Sequence, residues 1–165
     1  VLPIHKFSFY SMKNIIIKSL SFNFLSCNLI GTSINCFGQW TWEKFTTSNK
    51  EGTEFRKKLR PIFELSDVFN RTHDLAIKKH PIQLPRIDSE ELNDTEIAIK
   101  YSTDLTKDQV FTTTREIFQR LGRVIRKGST VCIEFSVGKL VAKERKVMFY
   151  FKPTFLLNGP KSALS

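Results

Sequence analysis

The stretch INCFGQWTWEKF, residues 34–45, decides the fold of this chain. Apolar and polar residues alternate along it, which is the period of a strand with one buried face. Gly38 interrupts the alternation, and a glycine inside a strand indicates a bulge or a close backbone approach. Trp40 and Trp42 fall on one face. The stretch therefore predicts a core strand, with an aromatic platform for stacking nucleic-acid bases as the alternative.

The residues after this strand predict a hairpin. The turn-rich TTSNKEGTEF (46–55) leads into the basic strand EFRKKLRPIF (54–63), so the chain reverses near residues 48–52. Pro61 is expected to end that strand, and the apolar spacing predicts a short helix over residues 63–75 that packs back on the hairpin. The predicted core residues are Phe37, Gly38, Trp40, Trp42, Pro61 and Phe63.

The rest of the chain is predicted to contain the same kinds of elements, with helices followed by a small antiparallel sheet. LTKDQVFTTTREIFQRLGRVIRKG (105–128) predicts an amphipathic helix with Thr106 as its N-cap, preceded by a short helix around residues 93–102. One face carries the apolar residues up to Val124 and Ile125, and the other carries arginines. Three short strands follow at residues 130–136, 139–144 and 146–151. We predict an α+β fold of two small tandem units, residues 31–85 and 86–165, after a segment 1–30 that fits this plan poorly.

The charge is unevenly distributed along the chain. The net charge is +10, and basic blocks at residues 43–86 and 105–165 flank an acidic joint at residues 87–104. Basic blocks of this kind suit an anionic partner, although a solvated surface would have the same composition. The candidate partner-binding residues are Arg56, Lys57, Lys58, Arg60, Arg120, Arg123 and Arg126.

Motifs for chemistry are missing from the sequence. No P-loop, G-x-G-x-x-G or G-x-S-x-G occurs, and the cysteines Cys27, Cys36 and Cys132 and the histidines His5, His73 and His80 have no metal-ligand spacing. The acidic residues Asp88, Glu90, Glu91 and Asp94 lack the pattern of a calcium loop, so we interpret them as a flexible linker. The apolar run after Met12 is too short and polar for a membrane span. We predict no enzymatic activity, no cofactor or metal, no small-molecule substrate and no membrane association.

The order of these features resembles the HU-like domain of the eukaryotic coiled-coil domain-containing protein 81 family. In the first half, the matching residues are Gly31, Ile34, Phe37, Gly38, Trp40, Trp42, Arg60, Pro61, Phe63, His73 and Leu75. In the second half, they are Gly138, Lys146, Val147, Phe149 and Tyr150. The sequence departs from the family in its two tryptophans, which replace phenylalanines, in residues before Gly31, and in lacking a coiled-coil region.

The resemblance implies a structural role. The family is associated with centrosomes and with cilia, including the microtubule doublets of axonemes, so the implied partners are tubulin and other axonemal proteins. The implied location is the cytoskeleton of the cytoplasm, in a cilium, flagellum or centrosome. An architectural DNA-binding protein of HU type is the alternative, although bacterial HU bends DNA with a proline at each arm tip and residues 46–55 contain none. A passive scaffold that binds a protein through a sheet edge is a third possibility.

Overall fold

A mixed four-stranded sheet organises the first half of the described chain. The computed structural model describes residues 31–48, 52, 55–76, 85–101 and 106–157, so the predicted segment 1–30 lies outside the described residues. The sheet consists of β1 (Gly31–Ile34), β2 (Gly38–Ser48), β3 (Phe55–Leu65) and β4 (Ser89–Glu91) in the order β3-β2-β1-β4. Neighbouring strands are antiparallel except β1 and β4, which are parallel. The predicted hairpin is thereby confirmed.

The second half places helices before a three-stranded antiparallel sheet. Following the short helix α1 (Asp67–Thr72) and β4, the chain forms α2 (Asp94–Tyr101) and α3 (Lys107–Arg126). The strands β5 (Val131–Phe135), β6 (Gly138–Lys143) and β7 (Lys146–Phe151) and the helix α4 (Pro153–Leu157) complete it. Thr106 caps α3 as predicted, because its hydroxyl accepts from the Gln109 amide while the Gln109 side chain accepts from the Thr106 amide. The α+β class is confirmed.

Three local predictions were wrong. Pro61 does not end β3, which continues to Leu65 and leaves only Asp67–Thr72 helical, because a strand at a sheet edge tolerates proline where its missing N–H would point outward. The acidic joint is not a flexible linker, since Ser89–Glu91 pair with β1 and Asp94 begins α2. Val124 is exposed, although the helical period had placed it inward.

A single aromatic core joins the two halves. Phe37 stacks on Phe118 of α3 with ring centroids 4.3 Å apart, and Trp40 meets Phe149 of β7 edge-on at 5.8 Å. Trp42 lies 5.6 Å from Phe155 of α4. The predicted core residues Phe37, Gly38, Trp40, Trp42 and Pro61 are buried, and Phe63 is half-buried against the same cluster. Each half thus relies on the other to cover its aromatic side chains, and the base-stacking alternative for the tryptophans is wrong.

The hairpins β2–β3 and β6–β7 are built alike where they enter the core. Gly38 opens β2 opposite Leu65, and Gly138 opens β6 opposite Phe151. A Cβ on either glycine would overlap a carbonyl oxygen of the partner strand. The backbone hydrogen bond from Ser66 N to Phe37 O (2.8 Å) has its counterpart from Lys152 N to Val137 O (2.9 Å). The same geometry is therefore repeated at two places in the chain.

The helices α1 and α3 meet through a buried histidine. The imidazole of His73 is 7% exposed, contacts the ring of Phe69 at 4.6 Å and occupies the space where a side chain on Gly122 would lie. Burial lowers the pKa of His73 from its ordinary value of 6.5, and the charges of Arg126 and Arg123 lower it further. His73 is thus a neutral packing group, in agreement with its predicted capping or packing role.

Candidate functional site

The outer part of the β2–β3 hairpin is the most prominent charged feature of the described chain. Trp42 and Pro61 are the last buried pair on the core face, and beyond them the strands continue as far as Ser48 and Phe55. We call residues 44–48 and 55–60 the basic arm. Its side chains are exposed except for half-buried Phe45, Thr47 and Leu59. The arm therefore presents both of its faces to the surroundings.

Four of the predicted partner-binding residues come together on this arm. Because side chains alternate along a strand, Arg56, Lys58 and Arg60 share one face, with successive residues about 7 Å apart. Lys57 lies on the opposite face with Lys44. The strand residues 44–48 and 55–59 include no acidic residue. The arm can therefore attract an anionic surface along its length.

Arg60 differs from the other three because it fixes the base of the arm. Its guanidinium forms an ion pair with the buried carboxylate of Glu43, with an Nη2–Oε2 distance of 2.6 Å. The same guanidinium lies 5.5 Å from the ring centroid of Phe45 in a cation–π arrangement. Glu43 is only 5% exposed, so removal of Arg60 would leave a buried charge without its counterion. Arg60 is therefore a structural residue as well as a candidate contact.

The opposite side of the arm base is held by the residues that lead into β4. The Lys44 amide donates to Pro85 O (2.8 Å), and the Ile87 amide donates to Trp42 O (2.9 Å). Arg86 forms an ion pair with Glu64, whose carboxylate also accepts from Gln39 at 2.8 Å. Thus β2 is clamped between β3 and residues 85–87 up to the point where the arm leaves the core.

The remaining predicted contact residues lie on α3. Arg120, Arg123 and Arg126 are exposed, and Arg120 pairs with Glu116 one turn earlier. Arg123 and Arg126 are close enough to His73 to influence its titration. The arm cations lie on β2 and β3 and these arginines lie on α3, so the candidate residues belong to separate elements.

Sequence reasoning missed the polar network at the arm base. Glu43 belongs to no motif, and Arg86 lies at the predicted boundary between the two units. The relevant signal is the register Glu43↔Arg60, which places opposite charges on directly facing residues of an antiparallel pair. That register follows only from the exact position of the turn, which the sequence does not fix.

Neither a metal cluster nor a membrane span occurs in the described ranges. Within them, no group of three or more His, Cys, Asp or Glu side chains is arranged to hold a metal ion. No helix among the described residues is long and apolar enough to cross a membrane. Cys36 and Cys132 are both free thiols.

Comparison with known proteins finds a family match in the second half of the chain. Residues 89–159 match the family model described as CCDC81 eukaryotic HU domain 2. No curated protein matches the chain. The matched residues include β4, α2, α3, the three-stranded sheet and α4, so the match extends over an uninterrupted set of elements. The chain therefore carries a CCDC81-family HU-like domain at residues 89–159.

Proposed function

We propose that this protein is a non-enzymatic structural component of the cilium, axoneme or centrosome that binds microtubules through the basic arm. The observation that carries the proposal is the arm itself, in which the exposed strand residues of β2 and β3 include five cations and no acid. A doublet microtubule is a repeating anionic lattice, and it offers the same contact to every copy of the protein. Tubulin and other axonemal proteins are the proposed partners.

The strength of such binding would come from repetition rather than from one tight contact. Exposed charge pairs individually contribute about 0.2–1 kcal/mol, and salt screens them further. Several such contacts on one rigid ribbon, with the α3 arginines as a second surface, add through effective concentration. The arm base is held by Glu43, Arg60 and residues 85–87, so the charges are presented without a large ordering cost.

We also propose that residues 31–76 are a second HU-like unit, paired with residues 89–159 within one chain. The repeated glycine at the head of β2 and β6, with its backbone bond to the residue after the hairpin, supports this interpretation. In both places a three-stranded antiparallel arrangement is followed by a short helix. The pairing would leave the protein with a single long arm.

Co-sedimentation with polymerised tubulin tests the proposed partner. We expect the substitutions Arg56→Ser, Lys57→Ser and Lys58→Ser, made together, to reduce the bound fraction at least fivefold and to weaken its dependence on salt. In the matched control, serine replaces Lys139, Lys143 and Lys146. These exposed lysines lie on the other hairpin, and their substitution removes the same amount of charge. Equal losses in the two triple variants would mean that net charge, rather than the arm, governs binding.

Imaging tests the proposed location independently. A tagged full-length chain in a ciliated cell is expected to follow axonemal or centrosomal tubulin, and the arm variant is expected to lose that pattern. A signal confined to the nucleus would contradict the proposal.

An architectural DNA-binding role is the alternative, and the shape of the arm favours it. A two-stranded β-ribbon fits the major groove of duplex DNA. Binding through several phosphate contacts would fall steeply with salt, at close to one logarithmic unit per tenfold salt for each phosphate neutralised. Residues 49–54 contain no proline, so the wedge that kinks DNA in bacterial HU is missing from the turn. A salt titration with a 30-bp duplex, beside the tubulin assay, separates the two roles.

A further inference from the structure

The outer edge of the basic arm is a row of main-chain groups on an edge strand. β3 stands at one end of the order β3-β2-β1-β4 in the described sheet. On the far side of β2, the Lys44 amide donates to Pro85 O (2.8 Å), and Trp42 O accepts from the Ile87 amide (2.9 Å). Residues of a strand that lies between two neighbours alternate in which neighbour they bond. The even-numbered residues of β2 at the arm base therefore face away from β3.

The register then identifies the outward main-chain groups of β3. The odd-numbered residues of β2 bond β3, and they lie opposite its even-numbered residues. The odd-numbered residues of β3 therefore direct their N–H and C=O groups outward, and in the arm these residues are Phe55, Lys57 and Leu59. Pro61 continues the same series and lacks an N–H, as suits a position on the open side of an edge strand. The arm thus offers a main-chain edge to which another strand can add.

The charges beside this edge determine which strand can add to it. Residues 44–48 and 55–60 carry five cations and no acid, so the arms of two copies repel each other. Cations on an edge strand oppose pairing with a neutral or basic strand, whereas opposite charges on facing residues stabilise a pair of strands. The occupant is therefore an acidic segment in extended conformation rather than a second copy of this chain.

The two faces of the arm set the order of residues in that segment. Arg56 and Lys58 lie on one face, and Phe55 and Leu59 lie on the other face with Lys57 between them. Phe55 is 74% exposed, so its ring can pack against an apolar side chain of an added strand. Carboxylates on the first face and apolar side chains on the second match both faces. A strand has this arrangement when acidic and apolar residues alternate along it.

We propose that the basic arm binds an acidic, extended polypeptide segment by strand addition to the outer edge of β3. Carboxylates of the segment pair with Arg56 and Lys58, and its intervening apolar residues cover Phe55 and Leu59. Main-chain hydrogen bonds to the outward groups of β3 supply affinity in addition to charge. The segment runs antiparallel to β3, since antiparallel pairing is slightly the more stable. The inference rests on the proposed function in that the arm is the binding surface, and it gives the chemistry of the partner region that the arm contacts.

Titration of the full chain with short peptides tests the strand addition. The first probe is acetyl-Glu-Val-Glu-Val-Glu-Val-amide, and the second has the same composition in the order Glu-Glu-Glu-Val-Val-Val. Two further probes are the first peptide methylated on the amide nitrogens of either its valines or its glutamates. The amide NMR signals of Lys57 and Leu59 report binding.

The expected order of affinities follows from the antiparallel pairing. The valines lie opposite the outward residues of β3 and bond them, whereas the glutamate amides point away. We expect the alternating peptide to bind at least fivefold tighter than the peptide with separated blocks. Methylation of the valines should weaken binding at least tenfold, and methylation of the glutamates less than threefold. Equal affinities of the two methylated forms, or of the two residue orders, would overturn the proposal, because the arm would then act only through its charge.

Two substitutions at one residue separate the main chain from the charge. Lys57→Pro removes the outward N–H together with the charge, whereas the matched control Lys57→Ser removes only the charge. We expect Lys57→Pro to weaken the alternating peptide at least fivefold more than Lys57→Ser does, and equal weakening would contradict the proposal. Should the amide signals of Lys44 and Phe45 show that Lys57→Pro disorders the arm, the methylated peptides decide alone.

Co-sedimentation with polymerised tubulin distinguishes failure of this inference from failure of the proposed function. If the two methylated peptides bind equally while the triple variant of Arg56, Lys57 and Lys58 still loses tubulin binding, the strand addition is wrong and the microtubule role stands. If the alternating peptide binds as expected but the native chain does not sediment with tubulin, the strand addition stands and the microtubule role is wrong.

Discussion

The hairpins β2–β3 and β6–β7 begin alike in the core and end differently. β6–β7 closes after six pairs through a two-residue turn in which Glu144 and Arg145 have positive φ values of 53° and 62°. Arg145 of this turn is bound to the first half of the chain by an ion pair with Asp74, with an Nη2–Oδ2 distance of 2.5 Å. β2–β3 instead continues to the pair Ser48↔Phe55. The comparison separates the hairpin residues that the core requires from the extension that carries charge.

The largest effect is expected from the core ends of the two hairpins. Trp40→Ala should lower the free energy of unfolding by about 3–5 kcal/mol, and its counterpart Leu140→Ala by about 2–5 kcal/mol, because each leaves a cavity in the shared cluster. Urea unfolding followed by tryptophan fluorescence and by circular dichroism measures both. The two probes should give one coincident transition in Leu140→Ala. If the second sheet unfolded while the tryptophan fluorescence stayed unchanged, the two hairpins would unfold independently. The shared core described above would then be wrong.

A smaller, paired effect is expected at the glycines that open the two hairpins. Gly38→Ala and Gly138→Ala should each destabilise the protein by about 1–3 kcal/mol, because the new methyl group meets the carbonyl oxygen of Glu64 or Tyr150. Thermal unfolding of both variants checks this. Lys139→Ala, at the exposed residue beside Gly138, is the control and should change stability by less than about 0.5 kcal/mol.

The pH dependence of stability tests the contact that His73 of the first half makes with α3 of the second half. Since burial lowers the pKa of His73 below 6.5, the unfolded chain binds a proton first, and stability falls as the pH drops from 6.5 towards the lowered value. Above pH 6.5 this contribution is fully present. Chemical denaturation at pH 7.5 and pH 5.5 should show a larger loss for the native chain than for His73→Asn.

The native chain and His73→Asn differ only at His73, so the difference between their losses of stability measures the contribution of His73 apart from the other titrating groups. Asp94 has a raised pKa, so its contribution changes in the opposite sense at lower pH and is common to both proteins. Equal losses in the two chains would mean that the contact between α1 and α3 does not sense protonation.

The smallest effect is expected from the arm. The triple substitution of Arg56, Lys57 and Lys58 by serine should change the free energy of unfolding by less than about 0.5 kcal/mol, because these side chains are exposed. Denaturant titration measures it. A large loss would show that the extension stabilises the core, and the distinction between the two hairpins would then fail.

Regular periodicity made several elements predictable from sequence. The helix α3 and the strands β5 to β7 follow from their apolar spacing and from the capping signal at Thr106. Phe63 was placed in a helix because apolar residues recur after it at spacings of three and four. That spacing was given more weight than the tolerance of an edge strand for Pro61. The pairing of Gly31 with Ser89 could not be predicted, because no local signal reports which distant strand lies alongside another.

The candidate sites follow the same division. The basic arm is visible as a run of cations, since charge is a property of sequence alone. The ion pair between Glu43 and Arg60 at the arm base is not, because it depends on the register of two strands.

The parallel pairing of β1 with β4 has a consequence for biosynthesis. A chain emerging from the ribosome presents β1 and β2 long before Ser89–Glu91 and Phe118 exist, so the aromatic rings of Phe37, Trp40 and Trp42 must wait for their partners. At about 5–20 residues per second this delay lasts for several seconds. During that interval the nascent first half exposes a strand rich in apolar aromatic side chains. We expect chaperones to bind this strand until the second half has been made.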